Sequence, residues 1–217
     1  MVGLALVIVT IFVLDPAFLS TRRIDPVAAI AAQGAFELPA IVALLIAIPR
    51  AAGLSLAELG FTRPTGRTLV IAAAGVALSI VAVSLSTPIV SALTHSTKHP
   101  QEVELMFVGM HEPWKIFAFA FFAAVVAPIA EEVFFRLFLF NIGLRYGGFW
   151  IGAIVSSALF GLAHGDLANA LPLACVGAVL CGVYYYSRNA YASMIAHGAF
   201  NLVTVVALLY LPKLASG

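Results

Sequence analysis

Apolar residues run along this chain in long blocks separated by short polar breaks. Seven blocks stand out, at roughly 3–20, 26–48, 68–93, 114–142, 149–164, 170–187 and 190–211. Most are near the ~20 apolar residues a helix needs to cross a bilayer. Asp25-Pro26, Pro49-Arg50, Arg63-Pro64, Glu112-Pro113, Gly147-Gly148 and Arg188-Asn189 separate them, pairs of the kind that end or turn a helix. The pattern predicts an all-α fold, a polytopic transmembrane helical bundle of about seven spans forming a single membrane domain over residues 1–217. Leu54 to Phe61 (LSLAELGF) reads equally well as a short interfacial helix or as a loop, and residues 94–112 form the longest polar connection.

Composition agrees. Of 217 residues, 63% are hydrophobic and 10% charged, with a mean hydropathy of +1.08; a soluble domain carries about a quarter charged residues. The partners expected are therefore the lipid bilayer and membrane-associated molecules, and a net charge of +1 gives no reason to expect nucleic acid. Cys175 and Cys181 share one apolar block and fall on different helix faces, so they read as packing residues rather than a disulfide. Met1 to Leu14 lack a basic start and a clear cleavage site, and read as a first span rather than a cleaved signal. Loop charge does not orient the bundle: Arg50, Arg63, Arg67, Arg145 and Arg188 fall on one side, and Arg22, Arg23, Lys98, Lys115 and Lys213 on the other.

Against that background, ionisable groups inside the blocks demand a reason, since each costs about 2.5–3.5 kcal/mol or more at a helix centre. The fourth block holds Glu131, Glu132 and Arg136, the fifth ends on His164, and the seventh holds His197 and Asn201. Glu132 and Arg136 are four apart and share a helix face, so they are set to neutralise each other. Glu131 lies about 100° away and points toward a neighbouring helix. Pro128, just before the pair, frees a backbone carbonyl and predicts a kink. His197 and Asn201 share a face and present two donors to one point. Any one group alone reads as helix glue; three arising together point to one polar pocket.

The three elements resemble the CPBP family, the CAAX-protease and bacteriocin-processing intramembrane peptidases. Its pattern of EExxxR, FxxxH and HxxxN or HxxxD appears here in order as EEVFFR (Glu131, Glu132, Arg136), FGLAH (Phe160, His164) and HGAFN (His197, Asn201). The resemblance spans roughly residues 114–205 as a catalytic core and leaves 1–93 as accessory spans. It implies an intramembrane endopeptidase of a bacterial cell membrane, acting on a membrane protein or peptide. Glu131 and His164 would activate water, His197 and Asn201 would hold the oxyanion, Arg136 would fix the glutamate pair, and Phe160 would buttress His164. Direct activation of water is preferred; the alternative is Zn2+ or another divalent ion on Glu131, His164 and His197. HExxH is absent, since His111-Glu112 runs into Pro113-Trp114-Lys115.

Other chemistries fit less well. Ser193 shares a face with His197 but lacks a serine-protease setting, and Asp166 has no second intramembrane aspartate. A proton- or cation-coupled transporter would want a repeat that the chain lacks. A non-catalytic binding or bacteriocin self-immunity module using the same pocket is the remaining alternative. Glu37, mid-block and four residues after Gln33, reads as a helix-to-helix hydrogen bond or a contact behind the site toward Arg136. Asp15 reads as an interface residue.

Overall fold

The computed structural model describes residues 26–94, 110–165 and 167–215. The block at 3–20, Asp15, Asp166 and most of the 94–112 connection lie outside them. Everything described is helix or turn. α1 covers Pro26–Ala52 and α2 Gly66–Thr94; α3 (Pro113–Phe121) runs through a π-helical turn, Phe122–Val126, into α4 (Ala127–Glu132). A second π-helical stretch, Val133–Phe140, leads to α5 (Asn141–Ala163), followed by α6 (Leu167–Ser187) and α7 (Ala190–Ala215).

Among the described residues, four helices are long and apolar enough to cross a membrane: Gly66–Leu93, Pro113–Ala163, Leu167–Ser187 and Ala190–Tyr210. The expectation of about seven spans is thus met only in kind, and the largest difference lies in Pro113–Ala163. The blocks at 114–142 and 149–164 join in one helical run without an intervening loop. Gly148 interrupts it with φ 76° and ψ −177°, a conformation closed to side chains bearing a Cβ. The chain reverses there, so that Gly143 and Gly152 lie backbone to backbone, with no space for a Cβ on either.

Burial is distributed as a bilayer requires. Glu132 and Arg136 are both 0% exposed, whereas Leu93 and Phe117 are 73% and 72% exposed. In water that arrangement would be costly on both counts; in lipid the outward Leu, Val, Ile and Phe side chains are already solvated. Val133, Leu137, Phe140, Phe160, Leu180 and Cys181 form the packed centre, and both cysteines are free thiols.

The LSLAELGF stretch is a hydrogen-bonded turn, not a helix. Glu58 closes it by accepting from the Ser55 amide and hydroxyl, each at 2.8 Å. Its far end is fastened to the α6–α7 junction. Tyr184 donates to the Leu59 carbonyl at 3.1 Å, the Ala190 main-chain amide to the Gly60 carbonyl at 2.8 Å, and the Asn189 side-chain Nδ2 to the Thr62 carbonyl at 2.9 Å. Arg67 donates to the Tyr186 carbonyl, and Phe149 packs on Tyr185 and Tyr186. These contacts gather the α1–α2 loop, the Gly148 reversal and the α6–α7 junction at one end of the bundle. Arg50, Arg63, Arg67, Arg145 and Arg188 are all exposed there, beside Tyr146, Trp150 and Tyr186 at 81%, 75% and 63% exposure. Aromatic side chains so placed mark a membrane–water boundary.

Candidate active site

The centre of the site is Glu132. Its Oε1 sits 3.1 Å from Arg136 Nη1 and 3.0 Å from His197 Nδ1. The first partner follows from spacing along one helix. The second arrives from α7, and nothing local in the sequence announces it. Arg136 also donates to the Gly177 carbonyl of α6 at 3.4 Å and lies over the Phe160 ring at 4.6 Å from its centroid. Its guanidinium is thereby held by a carboxylate, a carbonyl and an aromatic face.

Glu131 points away from Arg136, as its angular offset predicts. Its Oε2 stands 3.7 Å from His197 Nε2, too far for a direct hydrogen bond. That oxygen is buried and has no hydrogen-bond partner among the described residues. The two glutamates therefore grip opposite edges of one imidazole, Glu132 closely and Glu131 loosely.

His164 follows the last residue of α5. Its Nδ1 lies 2.8 Å from the Phe160 carbonyl. A carbonyl only accepts, so Nδ1 carries a proton and donates it there, and Nε2 is left outside this bond. This bond also satisfies one of the carbonyls a helix leaves open at its C-terminus. Phe160, 1% exposed, contacts both imidazoles, with ring centroids 4.9 Å from His164 and 5.5 Å from His197. It is a shared wall between them and not a buttress for His164 alone.

Asn201 is placed differently from the expected common point with His197: its amide donates to the Ala123 carbonyl in the first π turn at 2.9 Å. Ser193 is fully buried, donates to the Ala190 carbonyl one turn back and lies beside the Glu132 carboxyl. Glu37 is 3% exposed and engaged within the bundle. A zinc ion on Glu131, His164 and His197 does not fit this arrangement. Among the described residues, no group of three His, Cys, Asp or Glu side chains is arranged to hold a metal ion.

Residues 113–203 match the type II CAAX prenyl endopeptidase Rce1-like family. Over 84 residues, 39% of this chain, the sequence is 27% identical to "Putative membrane peptidase YdiL" of Bacillus subtilis (strain 168). The aligned stretch spans 34% of that relative's length. No solved structure matches the chain. The matched stretch runs from the first residue of α3 past His197 and Asn201, so it contains Glu131, Glu132, Arg136, His164, His197 and Asn201, and over these residues the chain is similar to the type II CAAX prenyl endopeptidase Rce1-like family.

Proposed function

We propose that the protein is an intramembrane endopeptidase that hydrolyses a peptide bond of a membrane-associated protein or peptide, with Glu131 as the general base. One observation carries this reading: Glu131 presents a buried carboxylate oxygen, without a hydrogen-bond partner among the described residues, to the Nε2 edge of a histidine held from behind. A gap of 3.7 Å between these atoms lets both contact a single oxygen atom, the geometry general-base catalysis needs.

In the proposed reaction, Glu131 takes a proton from water as the oxygen attacks the scissile carbonyl carbon. His164 assists from the end of α5. Negative charge develops on the carbonyl oxygen. His197, held at Nδ1 by Glu132, presents its Nε2 edge to that oxygen, in a water-poor site where hydrogen-bond donors act most strongly. On collapse the C–N bond breaks, and the proton held by Glu131 passes to the leaving amine. Glu132 and Arg136 hold His197 in place. No step is routed through a metal. About seven spans, with Gly148 dividing Pro113–Ala163 into two, remains our reading of the membrane topology, and the cell membrane of a bacterium its setting.

The test is cleavage of a library of membrane-anchored peptides by purified wild type and Glu131→Gln, with and without a chelator. The variant should lose at least about 100-fold in rate, as expected when a general base is removed, with unchanged thermal stability. Chelation should leave the wild type active. Equal cleavage by both proteins would sink the assignment, and activity abolished by chelator and restored by zinc would move water activation onto a metal.

A further inference from the structure

The π turn at Phe122–Val126 creates a problem that Asn201 solves. In this turn the Ala127 amide reaches back five residues to the Phe122 carbonyl, whereas in an α-helix it would serve Ala123. The next amide able to serve Ala123 in the π pattern belongs to residue 128. That residue is Pro128, fully buried and without an N–H. Ala123 therefore has no main-chain donor from either pattern. A carbonyl shielded from water and left without a donor is destabilising, and here the Asn201 side-chain amide fills the gap at 2.9 Å.

Two further contacts show that the surroundings are built for this. Gly198, one turn before Asn201, lies directly against the Ala124 carbonyl, and a Cβ there would collide with it. This is the carbonyl that Pro128 deprives of its α-helical donor. In the second π-helical stretch, the Ser156 hydroxyl of α5 donates to the Phe135 carbonyl at 2.7 Å. Both irregular stretches flanking the glutamates are thus stabilised by a side chain from a neighbouring helix.

The π turn also sets where the glutamates point. It holds one residue more than an α turn, and one residue is about 100° of rotation. Were the turn to revert to α, everything after it would rotate by about that angle relative to α3. Glu131 would then leave His197.

We propose that Asn201 is a positioning residue: by capping Ala123 it fixes the π turn and, through it, the direction in which Glu131 and Glu132 face His197. The inference concerns the same site as the peptidase reading, and its effect on turnover rests on that reading; its effect on stability does not. It predicts a rescue. Asn201→Ala should lower both thermal stability and kcat, the latter by tenfold or more. Pro128→Ala restores an N–H at the position from which the π pattern reaches Ala123. In that background Asn201→Ala should cost less than half the stability it costs in wild type, and kcat should recover to within about threefold. A side chain that touched only the substrate's oxyanion would give additive stabilities and no recovery of kcat, which would overturn the proposal.

Should Pro128→Ala fail to fold, Gly198→Ala supplies the second cycle. It forces the same α7–π contact apart, so Gly198→Ala and Asn201→Ala together should be little worse than the more damaging single change; full additivity refutes the inference. If no protein in the set cleaves any substrate, the stability cycle still decides on Asn201, and only the peptidase reading falls.

Discussion

Glu132 is the residue on which the pocket depends most, and a buried ion pair sets the terms of its replacement. Glu132→Gln keeps the shape but leaves the Arg136 guanidinium charged in a site with 0% exposure. Removing one partner from such a pair costs about 3–5 kcal/mol. Replacing both, with Glu132→Gln and Arg136→Met, removes the stranded charge and should recover a large part of that loss in thermal unfolding in detergent. Activity should stay low in both proteins, because His197 loses the carboxylate that orients it. The Glu132–Arg136 pair was legible in the sequence because both partners lie on one helix face four residues apart. The Glu132–His197 contact joins residues 65 apart and depends on how α7 packs, which no local spacing reveals. Asn201 shows the same limit: HxxxN placed two donors on one face, but not the carbonyl that captures one of them.

Among the elements, the turn between α1 and α2 responds to pH through Glu58. The Ser55 amide and hydroxyl hold the Glu58 carboxyl below its ordinary value of 4.5. A depressed folded value means that the interaction contributes fully above the unfolded value and is lost as pH falls through the folded one. Amide exchange at Ser55 and Glu58 should therefore lose protection as pH drops below about 4.5, beyond the intrinsic change in exchange rate, and Glu58→Gln should remove that dependence. The helical blocks themselves were legible from apolar length, and the Gly147-Gly148 break from its composition. The π turns were not, because they depend on which carbonyl each amide chooses under pressure from neighbouring helices. Pro128 was the sole local hint, and it predicted a kink where the chain makes a wider turn.

For the whole molecule, the two ends of the bundle differ. The α1–α2 loop, Tyr146 and Arg188 lie at one end, and the start of α3 and the end of α5 at the other, because the helices run between these two ends and the Gly148 reversal turns the chain back. With Cys175 and Cys181 replaced by Ala, single cysteines at Glu58 and Tyr146 should react with an impermeant maleimide from one face of sealed vesicles. Cysteines at Glu112 and Gly165 should react from the opposite face. Labelling of Glu58→Cys and Gly165→Cys from the same face would reject this arrangement. The balanced arginine and lysine counts could not orient the chain, whereas the fold at least fixes which loops travel together.

The hydrogen bond from Ala190 to the Gly60 carbonyl joins a surface loop to the first amide of α7. From there to His197 is seven residues, about 10 Å of helix, too short and too tightly packed to absorb strain by bending. Displacing the loop at Gly60 should therefore move the start of α7, and with it the imidazole. A shift of a few tenths of an ångström at Gly60 is of the same order as the difference between a closed and an open contact of His197 with Glu131. The loop and His197 are the two ends of one short helical segment.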